Sequence, residues 1–166
     1  KGADGDPVRH TGSPAIGAPD GVGLLHLRWN RGKKSVGVNL ESEQGRAVFR
    51  RLGATCDVVI EGMRAGFLER LGLGFDTLRA DNRKLVFCSL SGLGSTGPYR
   101  TLGSHAPAFD AFAALSSINL YALTSAERAN ANWAPIGMNA MGLNAALGTL
   151  AAVIRARATG EGALIE

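Results

Sequence analysis

The feature that most constrains this chain is an alternation of short strand-like runs with helical segments between them. Val58-Val-Ile60 is a continuous β-branched run bounded by polar residues, the pattern of a strand covered on both faces, as in a parallel sheet. Lys84-Leu-Val-Phe-Cys-Ser-Leu90 supplies another strand, and Val36, Val38 and Leu40 alternate in Lys34 to Leu40 as an earlier strand requires. Helices fit between them. Ser42 is placed to cap one, with Ala47, Val48 and Leu52 as its inner stripe and Gly53 at a left-handed C-cap. Two short helices fit Gly66 to Leu71 and Phe75 to Ala80. Strand, helix and strand thus alternate twice, which predicts an α/β fold with a parallel sheet and right-handed crossovers.

The character changes beyond Ser91. Gly92 to Leu102 is a Gly/Pro loop, Phe109 to Ile118 fits one helix, and Tyr121 to Pro135 is polar and irregular. Leu143, Leu147, Leu150, Ala151 and Ile154 then recur at helical spacing, and Gly160 is placed to end that helix. Its other positions, Gly142, Ala145, Ala146, Gly148 and Ala152, carry almost no side chain, so something must pack very close to it. Ala163-Leu-Ile165 reads as the start of a further strand. Residues 1 to 23, rich in Gly, Pro and Asp, read as a surface loop.

Composition removes several function classes. A chain of 166 residues, 45% hydrophobic and 19% charged, suits a globular domain. The net charge of +4 favours an anionic ligand without identifying one. Aromatics are only 6% and are not interleaved with Lys/Arg runs, so nucleic acid is not expected as a partner. No apolar run in the sequence approaches the roughly 18 residues of a membrane span, and neither a membrane partner nor a signal peptide is expected. Cys56 and Cys88 lie inside apolar runs and read as reduced core thiols, which points to the cytoplasm.

Several motifs are weighed and set aside. Gly92-Leu-Gly-Ser-Thr-Gly97 has the dinucleotide spacing, but Pro98, Tyr99 and Arg100 continue a loop where a helix must open. Asn30-Arg-Gly-Lys-Lys34 sets three cations together and suits either phosphates or a solvated edge. No P-loop string is present. His10, His26 and His105 stand far apart and the cysteines form no C-x-x-C pair, so no metal site is expected. Ser89, Ser91, Ser95 and Ser104 lack the flanking glycines of a nucleophile elbow. Between Thr101 and Gly160 only Asp110 and Glu127 carry carboxylates, and Asp110 is the better candidate for acid, base or nucleophile, against an ordinary helix-end acid.

Taken together, an ordered set of segments resembles the family III CoA-transferases (CaiB/BaiF family), which include α-methylacyl-CoA racemases. They are Gly5-Asp-Pro7, Asn30-Arg-Gly-Lys-Lys-Ser-Val36, Ala54-Thr-Cys-Asp-Val-Val-Ile-Glu61, Gly66-Phe-Leu-Glu-Arg-Leu-Gly-Leu-Gly-Phe75, Ser89-Leu-Ser-Gly-Leu-Gly-Ser-Thr-Gly-Pro-Tyr99, Gly148-Thr-Leu-Ala-Ala152 and Arg157-Ala-Thr-Gly-Glu-Gly162. The resemblance implies that residues 1–166 are part of the Rossmann-like large, CoA-binding domain of a two-domain fold, with the opening strand and the small domain absent. It implies a homodimer of interlocked subunits. By similarity, CoA from an acyl-CoA substrate would lie along Val38, Asn39 and Leu40, with contacts from Met63, Arg70, Leu71 and Ser91.

Two departures from the family pattern stand out. Glu61-Gly-Met63 replaces a Glu-Asn-Phe found in many members. Met138, in Pro135-Ile-Gly-Met-Asn-Ala-Met-Gly142, stands where the transferases carry an aspartate. That aspartate attacks the thioester, forms a mixed anhydride and then holds CoA until an acceptor carboxylic acid collects it. A thioether has no such reactivity, so the catalytic residue is left unassigned, with Asp110 as a substitute. The racemases add a histidine, and Phe109 stands in its place. The resemblance therefore implies CoA transfer between an acyl-CoA and a carboxylic acid. The alternatives are a non-catalytic half paired with a catalytic copy and, third, an acyl-CoA racemase or isomerase.

Overall fold

The computed structural model of the chain describes residues 5–10, 22–103, 106–113 and 136–166. The chain divides into two compact units, residues 1–37 and 38–166. In the first, a 3-10 turn at Pro7–His10 and helix α1 at Leu24–Asn30 are joined by a hydrogen bond from Gly23 N to Arg9 O at 2.7 Å. α1 falls outside every helix expected from the sequence. The cationic segment 30–34 begins at its C-terminal end, where Lys33 N donates to Asn30 O at 3.1 Å.

The second unit is the α/β body. It runs α2 (Glu43–Gly53), β1 (Val58–Glu61), α3 (Phe67–Arg70), α4 (Phe75–Asp81), β2 (Val86–Ser89), α5 (Ala106–Phe112), α6 (Ile136–Thr159) and β3 (Ala163–Ile165). The three strands form one parallel sheet in the order β1-β2-β3, with Val58 opposite Val86 and Val86 opposite Ala163. This is the expected parallel architecture with flanking helices.

Alternation along the strands divides the core. Phe87 and half-buried Val59 join Leu68, Leu73, Leu78 and Leu85 on one face of the sheet, where α3 and α4 pack. Val86 on the other face meets Ala152 and Ala156 of α6. Gly148 lies just as close, since a Cβ built there would be 3.3 Å from Ile165 Cγ2. The element expected to pack tightly on the small-residue helix is therefore the sheet itself. Gly160 ends α6 at φ 79°, as its position predicts, and donates to Ala156 O at 2.9 Å.

Three expectations are corrected. Residues 34–40 form no strand. No described strand lies alongside them to complete a ladder, and Asn39 O instead accepts from Ser42 N at 3.3 Å and Ser42 Oγ at 2.9 Å, folding the segment into the turn that opens α2. Ser42 does cap α2, accepting from Gly45 N at 3.0 Å, but Ala47, Val48 and Leu52 are exposed. Phe49 and Gly53 face the core instead, because Gly53 leaves room for Leu78 Cδ2, 3.3 Å from where its Cβ would stand. Gly53 remains helical, and Ala54 is the C-cap in a right-handed conformation.

The third correction concerns α6, whose 18-residue window of mean hydropathy 1.3 is long and apolar enough by length and composition to cross a membrane. Glycine, alanine and threonine interrupt its large apolar residues, so the sequence shows no continuous apolar run there. Its Ala152 and Ala156 are buried against the sheet. Of the helix expected over residues 109–118, residues 114–118 lie outside the described residues, as do Glu127, His105 and the stretch 121–135.

Candidate functional site

Open parallel sheets bind ligands beyond the carboxyl ends of their strands, so the groups that follow β1, β2 and β3 define the candidate site. β1 and β2 end side by side, with Glu61 opposite Ser89, and Leu90 N donates to Glu61 O at 2.8 Å. α6 leads into β3 and runs back towards the start of that strand, so its first turn lies at the carboxyl edge. Its 24 residues reach about 36 Å, against about 13 Å for a four-residue strand. The N-terminal turn of α6 therefore stands well above the strand ends.

On the face packed by α3 and α4, Leu40 and Leu71 are half-buried against the same leucine and phenylalanine cluster. Val38 is half-buried, while Asn39 is exposed and uses its side chain to accept from Glu41 N at 3.0 Å. Arg70 is exposed at the end of α3, with Nη1 3.4 Å from Ala65 O. Met63, in the loop after β1, is 52% exposed. The structure thus brings Leu40 and Leu71 together on one cluster, with Arg70 beside Leu71 in sequence and open to solvent.

Glu61, at the foot of this loop, is 4% exposed. Its Oε1 accepts from Leu68 N at 3.1 Å, while Oε2 is buried with no partner among the described residues. Burial raises its carboxyl above the ordinary glutamate value. The Leu68 N–H opposes that shift, the Glu69 charge adds to it, and Arg70 opposes it. In the sequence Glu61 stands out only as part of a string, since burial of an acid that ends a strand leaves no mark beyond its position after an apolar run.

The other face carries the residues considered for chemistry. Met138 is in the first turn of α6 and is 43% exposed. Asp110, on α5, is buried and its Oδ1 accepts from Gly137 N at 2.7 Å. Asp110 thus reaches the backbone one residue before Met138 and is engaged as a cap on that helix. Phe109 lies over Gly92, where a Cβ would overlap its ring, so only glycine admits it. Tyr99 meets Phe112 edge to face at 5.9 Å. The loop after β2 therefore seats α5. Ser91 Oγ, in that loop, is buried without a partner among the described residues.

The glycine spacing in that loop is explained by its geometry. Gly94 and Gly97 take φ of 81° and 82°, and the chain continues in turns through Tyr99 and Arg100. The Glu166 carboxylate accepts from both the backbone N–H and the hydroxyl of Ser95, and these bonds hold its carboxyl below the usual range. An acid already occupies donors that a pyrophosphate would need. Among the described residues, no cluster of three or more His, Cys, Asp or Glu is arranged to hold a metal ion.

Comparison with known proteins gives a consistent result. The chain matches the CoA-transferase family III profile over residues 1–166. It is 35% identical over 162 residues to the succinyl-CoA–L-malate CoA-transferase alpha subunit of Chloroflexus aurantiacus, covering 98% of this chain and 37% of that protein. It is 42% identical over 98 residues to the succinate–glutarate CoA-transferase of Agrobacterium fabrum, covering 57% of this chain and 24% of that protein. The fold superposes on a CAIB/BAIF family protein from Brucella suis with TM-score 0.79 and 29% identity, covering 98% of this chain and 43% of that one. The matched region thus makes up 24–37% of the length of these curated relatives. With a parallel sheet of the same fold and a profile match along its whole length, the chain belongs to CoA-transferase family III.

Proposed function

We propose that this chain is the CoA-binding part of a transferase that moves CoA between an acyl-CoA and a carboxylic acid. The reading is carried by one observation: Leu40 and Leu71 share one core cluster on a parallel sheet, and Arg70, which precedes Leu71 in the chain, is exposed to solvent. An exposed guanidinium suits a phosphate, which it can pair bidentately, and stacks on adenine. Val38, Asn39, Met63 and Ser91 complete the proposed CoA contacts. Relatives named as CoA-transferases of succinyl-CoA with malate or glutarate support the reaction class. Titration calorimetry of the intact protein with CoA tests it. Arg70→Ala is expected to weaken binding about tenfold, and an unchanged dissociation constant removes Arg70 from the site.

A second reading, a non-catalytic copy paired with a catalytic one, is supported by Met138 and by the capping role of buried Asp110. Relatives named as the alpha and beta subunits of one Chloroflexus transferase support it as well. Incubation with an acyl-CoA, trapping with hydroxylamine and mass spectrometry separate the two. No adduct on this chain favours the non-catalytic copy, and an adduct at Asp110 favours a displaced nucleophile. We also propose an assembly of interlocked subunits and a reducing, cytoplasmic setting, the latter supported by the free thiols of Cys56 and Cys88. Phe109, which cannot move a proton, disfavours a racemase.

A further inference from the structure

We infer that Glu61 is a positioning residue that sets where Arg70 meets the anionic part of CoA. This rests on the CoA-binding reading above. Glu61 closes β1 and points to the same sheet face as Val59, where Leu40 and Leu71 pack. Its carboxylate reaches over the loop to the backbone N–H of Leu68 at 3.1 Å, so one side chain ties the end of β1 to the first turn of α3.

That turn is short and leans on its surroundings, with the Leu68 side chain buried in the core and the Leu68 N–H held by Glu61. α3 has only four residues, too few for a self-supporting helix. It starts at Gly66 with φ 74°, where Phe67 N donates to Arg64 O at 3.0 Å; Arg70 N closes onto Gly66 O at 3.2 Å, and Leu71 N and Leu73 N donate to Leu68 O at 3.1 and 2.8 Å and Gly72 N to Glu69 O at 2.9 Å at its far end. Arg70 leaves from this turn, and its Nη1 lies back over it, 3.4 Å from Ala65 O and 3.5 Å from where a Gly66 Cβ would stand. The origin of the guanidinium is therefore set by a turn that Glu61 anchors on its polar side, beside the buried side chain of Leu68.

A buried acid is a costly anchor. Its second oxygen has no partner among the described residues, and the charged groups facing it are Glu69, which disfavours its ionised form, and Arg70, which favours it. Simple filling of this space is better done by an apolar side chain. What the glutamate alone adds is an acceptor at the right reach, and that reach serves the turn carrying Arg70.

The test uses the intact protein and two ligands, CoA and pantetheine, which lacks the nucleotide. Glu61→Gln keeps the acceptor and its reach, and its dissociation constant for CoA is expected within about twofold of wild type. Glu61→Asp keeps the charge but retracts by one methylene. It is expected to weaken CoA about fivefold, leave pantetheine unchanged, and add nothing in an Arg70→Ala background. Gly66→Ala displaces the same turn without touching the acid and is expected to act likewise, which keeps the test decisive should the Glu61→Asp variant fold poorly. Losses that add to Arg70→Ala, equal losses for pantetheine, or normal CoA affinity in either turn variant overturn the inference. Wild-type protein that fails to bind CoA overturns the reading and the inference together. Weak binding by Arg70→Ala with normal binding by Glu61→Asp and Gly66→Ala overturns Glu61 alone.

Discussion

The two faces of the sheet solve the same packing problem with opposite materials. On one face large residues interlock: Leu68, Leu73, Leu78, Leu85 and Phe87 are all buried, and Phe75 meets Phe87 edge to face at 6.4 Å. On the other face α6 brings Ala152, Ala156 and Gly148 against the strands and turns its large residues away, leaving Leu143, Leu147, Leu150 and Ile154 58–68% exposed. Hydrophobic residues are thus no guide by themselves to which side of a helix is inner. Close backbone approach selects small residues, whereas a face packed by short, irregular helices needs bulk to fill the gaps. The difference also separates the proposed roles, with Leu40, Arg70 and Leu71 on the bulky side and Met138 and Asp110 at the head of the small-residue helix.

The comparison breaks if the bulky face is not the chief source of stability. Phe87→Ala removes a fully buried ring and is expected to cost about 3–5 kcal/mol in chemical denaturation; a loss under about 1 kcal/mol contradicts the division. On the opposite face Ala152→Leu is expected to cost about 1–3 kcal/mol by overpacking against the sheet, and a neutral result shows that α6 is free to shift outward. Asp110→Ala removes the hydrogen bond to Gly137 N and is expected to cost about 1–2 kcal/mol, with faster amide exchange at Gly137 as its local signature. Retained protection there shows that the cap is supplied elsewhere.

Two smaller effects sharpen it. Because burial raises the Glu61 carboxyl, the folded protein holds a proton that the unfolded chain releases first as pH rises. Stability is therefore expected to fall with rising pH from the ordinary glutamate value up to the raised one, and Glu61→Gln should flatten that part of the denaturation profile. A slope unchanged by the substitution removes Glu61 as its source. Leu147→Gln, at an exposed position, is expected to change stability by less than about 0.5 kcal/mol. It should reduce self-association seen by light scattering, since Leu143, Leu150 and Ile154 are exposed along the same helix. A larger loss of stability places that stripe in a core.

Much of the architecture was legible in sequence. Residues 58–60 and the run ending at Leu90 are apolar enough to name buried strands, Ser42 to name a cap, and Gly160 to name a helix end, because each signal is local and its physics needs no partner. The ordered strings from Gly5 to Gly162 named the family. Legibility failed where a partner decides. Val36, Val38 and Leu40 alternate like a strand, yet a strand exists only when a neighbour takes its hydrogen bonds, and Asn39 and Ser42 offered a turn instead. Val48 and Leu52 lost the inner face of α2 to Phe49 and Gly53, because Leu78 fits against a glycine.

The candidate site divides in the same way. The sequence by itself determined that Met138 offers no acid and that Asp110 is one of two carboxylates in its stretch, since residue identity fixes chemistry. Only the tertiary structure decided that Asp110 is engaged by Gly137 N, that Ser95 is held by Glu166, and that Glu61 is buried beneath the turn bearing Arg70. Each of those contacts joins residues that different elements bring together. An acid's partners and burial are properties of the packed neighbourhood, and a one-dimensional pattern does not carry them.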